Sequence, residues 1–175
     1  MRHLDALRGP LSAFAALSAL LLALLGAVVA PAEADSLDAT GTGTAIGAPT
    51  ADPNIYTVTV IAAGHYPLPL LGNFRVRAHH FTDVSTGTGT FLDGAITFEG
   101  AHGRLFGTYD GKEFATNSPD TFTIAGTVTF VGGTGRFVGA TGEADFTGEL
   151  HIIGISPGGL VRETVTLELH GTLDF

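Results

Sequence analysis

The chain of 175 residues contains no cysteine and no tryptophan, and only one methionine. Without cysteine it can form no disulfide bridge, no thiol nucleophile and no cysteine-based metal site. Lysine and arginine together number 8, against 17 aspartates and glutamates, which gives a net charge of −9. Nucleic acids and anionic membranes attract clustered basic residues, so this balance argues against both as partners. Stability must therefore come from a well-filled core.

A long apolar run lies near the start of the chain. Two arginines precede an apolar stretch at positions 11–30, and Ala32 and Ala34 then match an A-x-A cleavage site. We therefore predict that residues 1–34 are a secretory signal peptide and that residues 35–175 form one secreted, extracellular domain. An uncleaved membrane anchor is the alternative, since about 20 apolar residues are long enough to span a bilayer.

The rest of the chain alternates apolar and polar residues with the period of β-strands, and no stretch has helical periodicity. In one segment Phe122, Ile124 and Val128 share one face, while Thr123 and Thr127 share the other. The pattern predicts eight strands, at 37–46, 55–63, 71–81, 88–99, 103–110, 121–131, 141–152 and 161–174.

One apolar and one polar face on each strand is typical of an antiparallel sheet, and closing such a sheet removes its exposed edges. We therefore predict an all-β fold, an eight-stranded antiparallel up-and-down β-barrel, with a two-sheet sandwich as the alternative. Glycines recur on the predicted inner face, where they either kink the strands or leave room for a ligand. They are Gly94, Gly107, Gly126, Gly148 and Gly171.

A glycine cluster in the stretch 131–142, VGGTGRFVGATG, superficially resembles a nucleotide-binding loop. The spacing fails, because a G-x-G-x-x-G pattern that starts at Gly133 would need glycine where Val138 stands. A strand pattern follows the cluster where a dinucleotide fold requires a helix. The cluster is better interpreted as a tight connection between strands, and we predict no nucleotide and no cofactor.

The same segment carries a family resemblance. VGGTGRFVGATG resembles the G-G-[TS]-G-x-F-x-x-A/V-x-G segment of the allene oxide cyclase and dirigent barrel superfamily, and LLGNF (70–74) resembles a segment of its bacterial exported members. The resemblance covers about residues 37–175 and implies an eight-stranded barrel in which this segment lies between two late strands. An isomerase or cyclase activity is implied only weakly, because the motif identifies no catalytic residue.

Four polar residues fall on the apolar face of their predicted strands: Tyr56, His80, Tyr109 and Glu163. In an up-and-down barrel their positions along the strands bring all four to one mouth, as candidate ligand-binding residues. Fraying of the strand ends into water is the alternative. Glu163 is the best candidate for an acid or base, with His80 as its partner and the two tyrosines as hydrogen-bond donors.

The loops GAPTADPN, GKEFATNSPD and IGISPGG are predicted at that same mouth, and the GGTGRF turn at the other end. A hairpin of the last two strands with both polar faces outward would place Asp145 opposite Glu168 and Glu143 opposite His170. Such a cluster could bind calcium, but a solvated acidic surface is the simpler interpretation, and we predict no metal site.

Three functions fit these observations. The barrel could bind a small hydrophobic ligand, act as an isomerase or cyclase on a small hydrophobic substrate, or have a filled interior and serve as a structural or interaction protein. Ligand binding is our first prediction, and enzyme activity stays open, as does assembly into a homo-oligomer. An interior space of a few hundred cubic ångströms would argue against a filled barrel.

Overall fold

The structure, a computed structural model, describes residues 34–66 and 71–175. The predicted signal peptide, except for Ala34, lies outside the described residues. Within the described ranges, no helix is long and apolar enough to cross a membrane.

Eight β-strands account for most of the described chain. They are β1 (Asp35–Pro49), β2 (Ile55–Tyr66), β3 (Gly72–Asp83), β4 (Thr90–Gly100), β5 (Gly103–Ala115), β6 (Thr121–Gly133), β7 (Thr141–Ile155) and β8 (Val161–Asp174). A single turn of 3-10 helix, Gly135–Phe137, connects β6 to β7. Buried and exposed residues alternate along the strands, as the period-2 sequence pattern predicts.

Each strand pairs in antiparallel fashion with the next, and β8 pairs with β1, for example Val165 with Gly43, so that the sheet closes into a barrel. The predicted fold class is confirmed, and the sandwich alternative is wrong.

The predicted register between β7 and β8 is wrong by two residues. Asp145 lies opposite His170, and Glu143 lies opposite Thr172. Strand β7 continues to Ile155, which pairs with Val161, and the register shifts between Ile152 and Gly154. A β-bulge of this kind cannot be read from the turn sequence, although the polar residues still face outward.

One end of the barrel, which we call the closed end, is filled by aromatic rings. Phe98 packs edge-on against both Phe74 and Phe130, with ring centroids 5.6 and 5.9 Å apart. The 3-10 turn lies across this end and inserts Phe137, which is 0% exposed. Backbone amides of the turn donate to carbonyls of the β4–β5 hairpin, including Arg136 N to the carbonyl of His102 at 3.0 Å.

The glycine segment is therefore a structural connection at the closed end, as the sequence predicts. Gly135 and Gly139 have φ of +64° and +80°, a left-handed conformation that favours glycine. A side chain at Gly133 would collide with Phe137, since an added Cβ would lie 2.5 Å from the Phe137 Cβ. These glycines let the turn pack tightly enough to cover this end of the barrel.

The inward glycines of the barrel wall do not create empty space. A Cβ at Gly126 would lie 2.6 Å from Cζ of Phe146, and one at Gly107 would lie 3.0 Å from Cγ1 of Val128. The space beside both glycines is already occupied by neighbouring side chains. Much of the barrel interior is consequently packed, which argues against a large cavity along its whole length.

Candidate functional site

The end opposite the 3-10 turn, which we call the open end, gathers the polar residues of the inner face. Strands β1, β3, β5 and β7 finish there and β2, β4, β6 and β8 begin there. All four residues singled out in the sequence face inward at this end. His80 is buried, and Tyr56, Tyr109 and Glu163 are half-buried.

His80 is the most buried of these residues, with 4% of its surface exposed. Its Nδ1 shares a hydrogen bond of 2.5 Å with the hydroxyl of Tyr109, and its ring centroid lies 4.3 Å from that of Phe91. Burial, and secondarily the charge of His79, lowers the pKa of His80 to about 4. The imidazole is therefore uncharged at neutral pH. Its hydrogen-bond partner is Tyr109, whereas the sequence suggested Glu163.

A β-bulge in β4 makes this pairing possible. Asp93 has φ of +53°, and the register with β5 shifts between Phe91 and Gly94, so both of these residues face inward. Strand β4 lies between the strands of His80 and Tyr109, and Gly94 occupies the position between them. An added Cβ at Gly94 would lie 2.8 Å from ring atoms of Tyr109. Glycine at this position therefore leaves room for the Tyr109 ring.

Glu113 is the residue that the sequence analysis missed. Strand β5 continues to Ala115 rather than ending near 110, so Glu113 faces inward as the next member of the series Leu105, Gly107, Tyr109 and Gly111. The dipeptide Asp110–Gly111 is typical of turns, and the sequence therefore predicts a loop from Gly111 onward. The alternation of inward and outward residues continues through Gly111, and this pattern could have identified Glu113 as an inward residue.

The loop between β3 and β4 holds Glu113 in place. The amide of Glu113 donates a hydrogen bond of 2.8 Å to the carbonyl of Gly89. A Cβ at Gly89 would lie 2.6 Å from Oε2 of Glu113, so glycine lets the loop approach the carboxyl group without displacing it. Burial, and then the charge of Glu163, raises the pKa of Glu113 to about 7. Burial also raises the pKa of Glu163.

The open end contains a cavity in two parts. An outer cup of about 300 Å³ is lined by Tyr56, Val58, Thr82, Gly89, Glu113, Phe122, Val161, Glu163 and neighbouring residues. Below it lies a narrow inner cavity of about 50 Å³, with mainly apolar walls that include Ala45, Val128, Val165 and Leu169. Val58, Glu113 and Glu163 line both parts, so the two carboxyl groups stand where the cup meets the inner cavity.

Two buried polar atoms at this end have no hydrogen-bond partner. They are Nε2 of His80, beside the inner cavity, and Oγ1 of Thr82, beside the cup, and Thr82 is only 3% exposed. No other buried side-chain nitrogen or oxygen in the described ranges lacks a partner. A buried polar group without a partner costs about 1–3 kcal/mol, so each atom is a candidate contact for a ligand or an ordered water.

In residues 34–66 and 71–175, no group of three or more histidines, aspartates and glutamates is arranged to hold a metal ion. The conspicuous titratable groups of the open end are instead the two carboxyls and the uncharged imidazole. Together they offer hydrogen bonds and proton transfer to a molecule that enters the cup.

Comparison with known proteins gives a likeness among solved structures. No family model and no curated protein matches the chain. Among solved structures, the chain is similar to a pterocarpan synthase dirigent protein, with 12% sequence identity over 85% of this chain and 95% of that chain, at a TM-score of 0.44. This likeness carries no argument about function. The resemblance to the allene oxide cyclase group stays a prediction.

Proposed function

We propose that the barrel binds a small ligand at its open end, with an apolar part directed into the barrel and a polar group at the level of Glu113 and Glu163. The observation that carries this proposal is the two-part cavity: an open cup, an apolar inner cavity, and unpartnered polar atoms in the walls of both. Ligand sites commonly combine apolar walls with a few convergent polar groups.

The dimensions constrain the ligand. The inner cavity of about 50 Å³ is far smaller than the few hundred cubic ångströms of an empty barrel, and it has room for a few waters or a short apolar group. The cup of about 300 Å³ is within the range of small-molecule sites. The bulk of the ligand would therefore occupy the cup, and only its apolar tip would enter the barrel.

Native mass spectrometry of the protein secreted by its own host is the first experiment. We expect a bound molecule of low mass that is lost on denaturation. Ala45→Leu, in the wall of the inner cavity, should displace it, while Ala95→Leu on the exposed face of β4 is the matched control. Two outcomes would contradict the proposal: no ligand in any preparation, or equal retention by the folded Ala45→Leu variant.

Export is part of the same proposal, since the experiment uses secreted protein. Cleavage after Ala34 would start the mature chain at Asp35, which is the first residue of β1 and pairs with Leu173. N-terminal sequencing of protein from the culture medium should read Asp35 first. Retention of Met1 on exported protein would contradict signal-peptide cleavage.

Isomerisation or cyclisation of the bound molecule is a second candidate function, and one observation favours it. A carboxyl group whose pKa is raised to about 7 is suited to give and take protons near neutral pH. Glu113 would then share the acid–base role that the sequence assigns to Glu163. Once the ligand is known, incubation with wild type should convert it, and Glu113→Gln should convert none of it even at ligand concentrations that saturate the variant. Unchanged ligand after prolonged incubation would leave binding as the function.

A further inference from the structure

We infer that the polar group of the ligand is a primary ammonium, carried on a small apolar body. This inference rests on the proposed function, because it names the class of molecule that the same site binds.

The charges around the cavity have one sign. Glu113 and Glu163 face the cavity, and no lysine or arginine is among the described residues that line the cup or the inner cavity. The adjacent basic residues, Lys112 and Arg162, lie on the exposed outer face of their strands. The two carboxyls therefore have no cationic partner in the part of the chain that the structure describes.

The other titratable groups that face the cavity supply no positive charge. Tyr56 from β2 and Tyr109 from β5 are phenols, which carry no positive charge in either protonation state, and burial raises the pKa of Tyr109. His80 from β3 is uncharged at neutral pH, for the reason given above. A cation is thus the missing counter-charge of the site.

Desolvation makes a cationic ligand favourable here. The carboxylates lose hydration in the barrel, and the charge of Glu163 further disfavours ionisation of Glu113. An ammonium between them would stabilise both charges, whereas a carboxylate or phosphate ligand would add a third negative charge. The site therefore selects by sign of charge as well as by shape.

Hydrogen bonding points to the same group. An alkylammonium has three N–H donors, and the two carboxylates accept such bonds most strongly when they are ionised. The hydroxyl of Thr82, buried and without a partner beside the same cup, is a further acceptor. Binding an ammonium would satisfy this orphaned oxygen, so the inference does not depend on the two acidic residues alone. A calcium ion fits less well, because no group of three or more histidines, aspartates and glutamates in the described residues is arranged to hold a metal ion.

Isothermal titration calorimetry at pH 7 tests the inference with three probes of nearly equal size: benzylammonium, benzyl alcohol and benzoate. We expect benzylammonium to bind at least about tenfold more tightly than benzyl alcohol, and benzoate to bind most weakly. Repeating the titration in two buffers of different ionisation enthalpy should show proton release with benzylammonium alone. The released proton comes from the Glu113–Glu163 pair, because the bound cation favours the ionised forms.

Variants test whether the preference for benzylammonium and the proton release depend on Glu113 and Glu163. Glu113→Gln and Glu163→Gln should each weaken benzylammonium binding by about tenfold or more and reduce proton release, with little change for benzyl alcohol. Glu149→Gln, on the exposed outer face of β7, is the matched control and should behave as wild type. Thermal unfolding of each variant confirms that it is folded.

The outcomes separate this inference from the proposed function. Equal or tighter binding of benzyl alcohol or benzoate would overturn the ammonium assignment and leave ligand binding intact. Unchanged benzylammonium affinity in both glutamine variants would overturn it as well. Failure of all three probes would also overturn it, and the proposed function would fall with it only if native mass spectrometry finds no ligand.

Discussion

The two ends of the barrel are built from the same strands but from different chemistry. At the closed end Phe74, Phe98, Phe130 and Phe137 are 4% exposed or less, and no polar side chain inside that end lacks a partner in the described residues. At the open end the inner face carries a histidine, two half-buried tyrosines and two carboxyls, and strands β4 and β7 are bulged. The closed end therefore has the apolar, fully paired interior of a stable core. The open end instead places polar and titratable side chains on its inner face.

The features that destabilise the folded protein are concentrated at the open end. Unpartnered Nε2 and Oγ1 atoms, a positive φ at Asp93 and two carboxyls with raised pKa values all occur within the open half. Each of these features destabilises the folded protein. Their concentration around one cavity is the pattern expected of a functional site.

The largest predicted effect is at the closed end. Phe137→Ala should lower the free energy of unfolding by about 3–5 kcal/mol, because a fully buried aromatic ring is lost. Val138→Ala, at a neighbouring position that is 71% exposed, is the control and should change stability little. Chemical denaturation measures both. If the folded Phe137→Ala protein lost benzylammonium binding, the division between the two ends would be wrong.

The second prediction concerns pH at the open end. The pKa of Glu113 is raised from 4.5 to about 7 in the folded protein, so the unfolded chain releases this proton first as pH rises. Glu113 therefore destabilises the fold progressively between about pH 4.5 and pH 7, by up to about 3 kcal/mol. Glu113→Gln removes this loss. The stability of the variant relative to wild type should rise over that range.

Because His80 also changes the stability of the fold over this pH range, the effect of Glu113 must be measured as the difference between Glu113→Gln and wild type. The pKa of His80 is lowered to about 4, so the unfolded chain takes up a proton first as pH falls below 6.5, and stability falls toward pH 4. The two residues have opposite effects between about pH 4.5 and 6.5, and they partly cancel in wild type. Glu149→Gln should leave the profile unchanged. A Glu113→Gln profile parallel to that of wild type would contradict the burial of Glu113.

The smallest of the three effects is at the histidine–tyrosine pair. Tyr109→Phe leaves Nδ1 of His80 without its partner and should cost about 1–3 kcal/mol in the free energy of unfolding. Tyr56→Phe is the matched control, since the hydroxyl of Tyr56 makes no hydrogen bond to the described residues. Equal stability of the two variants in urea denaturation would show that the 2.5 Å hydrogen bond contributes nothing.

Most of the fold could be predicted from the sequence, because the period of apolar residues determines both strand identity and face. The predicted 161–174 strand agrees with β8 at both ends, and the inward orientation of His80 and Tyr109 follows from alternation alone. The placement of the glycine cluster at the opposite end follows from an up-and-down order of strands. Such features depend on local pattern and on connectivity, which the sequence contains.

The remaining features depend on contacts between strands. Phe91 has the wrong parity for an inward residue, and only the bulge at Asp93 turns it into the barrel. Glu113 was hidden by a turn signal at Gly111, where the glycine instead makes room beside Phe91 and Phe146. Bulges and register arise from the curvature of the closed sheet, so no single segment specifies them.

Methyl NMR during titration with benzylammonium tests the central claim, ligand binding at the open end, most directly. We expect chemical-shift changes at the methyl groups of Val58, Val128 and Val165, which line the cavity. The methyl signals of Leu37 and Leu173 at the closed end should not change. Changes confined to the closed end or to the exposed methyls of Ile61 and Ile153 on the outer face would contradict it.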